Sequence, residues 1–114
     1  MLPEADRVRL QHMLDAARQA MEFAAGCTRD DLDIDAMRAR ALVQCLAVVG
    51  EAAARVDEEA RSKHPVIPWR KIVGVRNRLV HAYFDIDHDQ IWRMVTEDLP
   101  TLAEHLQQIL QENG

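Results

Sequence analysis

Apolar side chains recur three and four residues apart through almost the whole chain, a period that admits amphipathic helices and little else. Val8, Met13, Leu14, Ala17, Met21 and Ala24 make one such face and predict a first helix from about Pro3 to Ala25. Pro3 suits its first turn, and Gly26 suits the position after its C-cap. Thr28 and Asp31 then read as a weak capping box. A long second helix is expected from about Leu32 to Glu59, with a stripe that includes Ile34, Met37, Leu42, Cys45, Leu46, Val49 and Val56. Gly50 inside it costs roughly 1 kcal/mol against Ala, so another helix is expected to pass close by. The neighbouring Glu51 fits either a pairing with an arginine of the next helix or an exposed position. Pro65 and Pro68 enforce a loop over 62–68, and a third helix begins near Trp69. It carries Ile72, Val73, Val75, Leu79 and Val80, and Gly74 suggests a second close packing site. Asp87 with Gln90 predicts the cap of a fourth helix running through Trp92, Leu99, Leu106 and Leu110, kinked or restarted at Pro100 near Thr101. No hairpin signal is visible. Aromatics are only 4% of the chain while hydrophobic residues are 48%, which favours packed helices over an aromatic-rich sandwich. The expected fold is all-α, an up-and-down bundle of four main helices in a single domain over 1–114.

Net charge is −5, but it is unevenly spread. Between Arg61 and Phe84 lie six basic residues (Arg61, Lys63, Arg70, Lys71, Arg76 and Arg78) and no acidic one. The rest of the chain holds eight basic against all nineteen acidic residues, a balance of −11. A basic island in an acidic protein points to a local phosphate site rather than broad nucleic-acid binding, the alternative being a chance clustering of charge within so short a window. Cys27 and Cys45 have neither a C-x-x-C pairing nor a zinc spacing; Cys45 reads as core and Cys27 as a loop or cap residue. No apolar run approaches eighteen residues and the N-terminus lacks an apolar signal core. A soluble, reduced, cytoplasmic protein is expected.

The island contains Arg76-Asn77-Arg78-Leu79-Val80-His81-Ala82-Tyr83. Histidine moves protons near neutral pH, and a guanidinium holds phosphate through a planar fork of donors. On a regular helix Asn77 and His81 share a face, Arg78 lies three before His81, and Arg76 lies about 140° away from it. Arg76 and His81 meet if the helix loosens near His81, or if two copies face each other across a two-fold axis, which is the preferred reading. These groups suit RNA cleavage. The ribose 2′-hydroxyl is the nucleophile, His81 moves the proton, and Arg76 holds the phosphate oxygens. Asn77 and Arg78 support them, and the products are a 2′,3′-cyclic phosphate and a 5′-hydroxyl. No metal or cofactor is required. The competing reading is a solvated face near a helix end.

Other candidates are weaker. Asp85, Asp87, His88 and Asp89 have the composition of a metal site without its ligand spacing. His12, His64 and His105 read as surface histidines. Trp69 and Trp92 read as core anchors, with base stacking by Trp69 as the alternative.

The run Ile67-Pro68-Trp69, then Val73 through Phe84, then Asp87, Ile91-Trp92 and Asp98-Leu99-Pro100, is similar to the HepT-like proteins. Gly50-Glu51-Ala52-Ala53 matches the same family habit. These are HEPN-domain toxins of HEPN–MNT (type VII-like) toxin–antitoxin systems, and the resemblance spans about residues 5–110. Ala82 and Val75 stand where glycine and methionine are common in the family. The resemblance implies a helical bundle that dimerises through the region of its motif helix and acts as a metal-independent ribonuclease. It places the motif arginine and histidine on Arg76 and His81 and the motif tyrosine on Tyr83. It implies a small nucleotidyltransferase antitoxin that attaches AMP to that tyrosine. The alternative is a non-catalytic helical subunit that binds the nucleotidyltransferase.

Overall fold

The computed structural model of the chain describes residues 2–82 and 85–113, with backbone alone for His81 and Ala82. Helix α1 spans Glu4–Ala24, and Gly26 follows it with a positive φ of 77°, a conformation that glycine adopts without penalty. The Thr28 N–H donates to Asp31 Oδ2 at 2.8 Å, the reciprocal arm of the expected capping box. The expected second helix is three. A single turn, α2, covers Asp31–Ile34; α3 covers Ala36–Ala54; α4 covers Glu58–Lys63. The first break is made by Asp35, whose Oδ1 accepts the Arg38 N–H at 3.0 Å and so caps a new helix. The second break is stabilised from outside. The Arg61 guanidinium donates to the free carbonyls of Ala54 and Val56 at the end of α3.

These breaks change which residues are buried. Ile34 and Met37, placed on the apolar stripe by a continuous helix, are 85% and 84% exposed because Asp35 resets the phase between them. Val8 and Val73 are also exposed. Leu42, Cys45, Leu46, Val49 and Val56 are buried as expected, with Leu10, Met13, Leu14 and Ala17 of α1 facing them. Burial pushes the Cys45 thiol above its usual range. A polar anchor sits in this core. Asp6 is 2% exposed and its Oδ1 accepts the Asp57 N–H at 3.0 Å, tying the start of α1 to the start of α4.

Two short helices follow the proline loop, α5 over Trp69–Val73 and α6 over Val75–Leu79. Trp69 anchors the loop: its half-buried indole N–H is shared between the carbonyls of Arg61 and His64, both at 3.1 Å. A two-stranded antiparallel ladder comes next, β1 over Val80–Ala82 and β2 over Asp85–Ile86, a feature without a hairpin signal in the sequence. Helix α7 spans His88–Arg93, capped as expected by Asp87 Oδ1, which accepts the Gln90 N–H at 3.0 Å. A π-helical stretch, Met94–Asp98, leads into α8, Leu99–Asn113. Pro100 explains the stretch. It has no N–H to give, and its ring would meet the carbonyl four residues back. The wider turn, with the Leu99 N–H on Met94 O five residues behind, lets the apolar face run on without a sharp restart.

The architecture is all-α. Helix α3 is central: α1, α5 and α6 all pack against it, and α8 packs along α1. The buried residues form one hydrophobic cluster to which α1, α3, α6 and α8 contribute, and the half-buried Trp69 and Ile72 of α5 pack against it. Among the described residues no helix is long and apolar enough to cross a membrane.

The Asp35 cap gives a pH prediction. Its carboxyl is held below the usual carboxylate range, chiefly by the Arg38 backbone N–H and then by the Arg38 guanidinium. A depressed folded-state value means stability that is present above the unfolded pKa and lost as pH falls through the folded one. Asp35→Ala is therefore expected to melt below wild type at pH 7, with the gap closing as pH drops below the ordinary carboxylate range. Thermal melts across that range check it.

Candidate functional site

The motif residues are presented by α6, and α6 is seated by two contacts. Val75 and Leu79, four apart, are 6% and 0% exposed and face the core. Gly50 of α3 lies beneath them. A Cβ placed on Gly50 would stand 2.9 Å from Ile72 O and 3.2 Å from Val75 Cγ1, so the expected close approach is real. Gly74 differs from expectation. A Cβ there would meet only Arg70 O, at 3.8 Å, and its φ is −87°. It marks the joint between α5 and α6 rather than a packing contact.

Arg76, Asn77 and Arg78 are all exposed. Residues two apart on a helix sit about 160° from one another, so Arg76 and Arg78 face opposite flanks of α6. Arg78 donates to Lys71 O at 2.9 Å and closes the end of α5. Lys63 pairs with Glu59 at 3.5 Å, and Arg61 is engaged at the end of α3. The basic island is thus partly structural. Arg70, Lys71 and Arg76 are exposed and form no side-chain hydrogen bond or ion pair among the described residues. Glu51 is exposed as well, the second of its two expected settings.

The chain leaves the helix before His81. Val80 is extended, with φ −120° and ψ 104°, and its N–H bonds back to Arg76 O. The helical 140° between Arg76 and His81 and the shared face of Asn77 and His81 therefore do not hold. The cause is non-local: Val80 pairs with Ile86, Ala82 pairs with Asp85, and the Asp87 N–H bonds to Leu79 O at 2.8 Å. Two steps along β1 match one along β2, so His81 is the extra residue of a β-bulge. Bulges redirect a side chain and are frequent beside active sites. Tyr83, expected where a helix ends, lies outside the described residues.

The acidic run after β2 is occupied structurally. Asp87 caps α7, His88 Nδ1 lies 2.9 Å from Asp33 Oδ1, and Arg29 bridges Asp33 and Asp89. The Asp33 carboxyl is held low first by His88 and then by Arg29. These contacts lock α7 to α2. Among the described residues no three His, Cys, Asp or Glu side chains gather as a metal site.

One feature escaped sequence reading. A cavity of about 320 Å³ opens between α3, α5, α6, the π-helical stretch and α8, on the Arg78 flank of α6. Glu97, Thr101 and His105 line one side, and their four-residue spacing is the signal that marks them as a common face.

The family model described as Ribonuclease HepT-like matches residues 13–109, and the chain belongs to that family. It is 33% identical over 103 residues to "Putative RNase TTE0752" of Caldanaerobacter subterraneus, covering 90% of this chain and 92% of that protein. It is 32% identical over 93 residues to "Probable ribonuclease HepT" of Thermococcus cleftensis, covering 82% and 84% respectively. No solved structure matches.

Proposed function

We propose that this chain is a metal-independent endoribonuclease, with Arg76 and His81 as its catalytic pair and Asn77 and Arg78 in support. The observation that carries the reading is the local build of the motif within a chain of the ribonuclease HepT-like family: an Arg76 that is exposed and without a side-chain partner among the described residues, on a seated helix, followed by His81 at a bulge. RNA supplies its own 2′-hydroxyl nucleophile. His81 takes that proton or protonates the departing 5′-oxygen, and Arg76 holds the phosphate as charge builds on it. Since Arg76 and Arg78 face opposite flanks, Arg78 supports by fixing α5 to α6 rather than by sharing the phosphate. A homodimer with both motif segments near the two-fold would supply a cleft and a second histidine. The whole of 1–114 acts as one cytoplasmic domain, a toxin paired with a nucleotidyltransferase antitoxin.

The test is cleavage of RNA by purified protein with and without EDTA, followed by analysis of the ends. Unchanged activity in chelator and 2′,3′-cyclic phosphate products are expected. Activity lost with the metal would defeat the mechanism. Tight binding to the nucleotidyltransferase without any cleavage would select the non-catalytic subunit instead.

Tyr83 is the proposed switch, and it is the chain's one tyrosine. AMP attached there brings a phosphate that competes with RNA for the Arg76 guanidinium and a nucleoside that fills the cleft. Nucleotidylated protein is expected to be inactive. Tyr83→Phe is expected to cut RNA and to escape silencing by the partner enzyme with ATP and Mg²⁺. Mass-spectrometric mapping of the label to another residue, or silencing of Tyr83→Phe as complete as wild type, would remove the switch.

A further inference from the structure

We infer that the cavity beside α6 is a binding site for a single nucleotide unit, separate from the Arg76 flank. Its walls are apolar, built from Leu46, Val49, Ile72, Val75 and Leu102 among others, and its volume of about 320 Å³ is at the small end for ligand sites. That suits one planar base rather than a peptide or a helix. The polar groups are few and divided by charge. Lys71 and the donors of Arg78 not bonded to Lys71 O stand on the α5–α6 side. Glu97, Thr101 and His105 stand on the opposite side. Asp98 is turned to Arg93, at 3.7 Å, which leaves Glu97 as the exposed carboxylate. A flat body with an anion at one end and N–H donors at the other complements this layout. The phosphate meets Lys71 and Arg78, the base lies between the aliphatic walls, and its amino or imino edge donates to Glu97. The cavity wall includes Met94, Glu97 and Asp98 of the π-helical stretch, a distortion often found at functional sites. The same chemistry comes from a free nucleoside monophosphate or from one residue of an RNA chain; the second source rests on the ribonuclease reading and would make the cavity a substrate-selecting subsite.

The experiment uses the full chain carrying Arg76→Ala, so that RNA survives. Methyl NMR shifts at Leu46, Val49 and Leu102 are followed during titration with each of the four nucleoside 5′-monophosphates, the matching nucleosides and an RNA tetranucleotide. At least one monophosphate is expected to shift these methyls and to bind about tenfold more tightly than its nucleoside. Lys71→Glu, an exposed substitution that leaves the core alone, should erase that preference while nucleoside binding persists. Glu97→Gln should narrow the discrimination between bases. Displacement of the monophosphate by the tetranucleotide assigns the site to RNA; its absence assigns the site to the free nucleotide. No methyl shift with any nucleotide or RNA overturns the inference whether or not the wild type cuts RNA. Shifts that depend on protein concentration alone overturn it too, because a second copy would then cover the cavity. Nucleotide binding by a protein that cuts no RNA would keep the site while removing the proposed activity.

Discussion

Arg76→Ala and His81→Ala are each expected to lower the rate of RNA cleavage by about 10²- to 10⁴-fold, the range for losing a positioned proton-transfer or charge-stabilising group. The fold should not change with Arg76→Ala. Its side chain is exposed and has no hydrogen bond or ion pair among the described residues, and Val75 and Leu79 hold α6 without it. Arg76→Lys separates charge from shape. An ammonium keeps the positive charge but lacks the planar fork, so a partial loss lying between wild type and Ala is expected. Single-turnover cleavage of a fixed RNA, with far-ultraviolet circular dichroism on every variant, measures this. Full activity in Arg76→Ala with an unchanged fold would remove the arginine from the mechanism.

The two glycines of the site region should respond in opposite directions to the same change. At Gly50, Ala gains roughly 1 kcal/mol of helix propensity. Its Cβ, however, would stand 2.9 Å from a backbone carbonyl, Ile72 O, which cannot rotate aside. Overpacking of this kind costs about 1–3 kcal/mol, so the net expectation is a loss of stability of about 1 kcal/mol. The displaced segment is α5–α6, so cleavage should fall along with stability. At Gly74 nothing lies closer than Arg70 O at 3.8 Å and φ is negative. Gly74→Ala should then be neutral or stabilising by up to about 1 kcal/mol, through the reduced freedom of the unfolded chain. Urea unfolding of the two variants side by side decides this. A Gly50→Ala protein as stable as wild type would mean that α3 and α5 are further apart than the structure has them.

Local signals in the sequence were read correctly where the physics is local. The stripe of α1 apart from Val8, the C-terminal Gly26, the Thr28–Asp31 box, the Asp87–Gln90 cap and the loop at Pro65 and Pro68, whose expected first residues 62 and 63 belong to α4, all depend on residues within one or two turns. The resemblance carried by the motif and its flanks was equally legible, and the family match agrees with it.

The misreadings share a different cause. Asp35 looks like one polar residue in a helical stripe, yet it caps α3 and leaves Ile34 and Met37 in solvent. Arg61 and Arg78 belong to the basic island by sequence, but each has donors bonded to carbonyls that a break in the helix sets free. Gly50 and Gly74 read alike, and only the atoms facing them tell them apart.

By itself the sequence determined that this chain is helical, where α1, α2, α5 and α7 start, and which family it joins, because periodicity, caps and motif residues are properties of neighbours along the chain. Only the tertiary structure decided how the motif is presented. Val80 leaves the helix because Ile86, six residues on, offers its backbone, and the mismatch between the two strands sets His81 in a bulge. Backbone hydrogen bonds between separate segments depend on where the core brings those segments, and no local period records that.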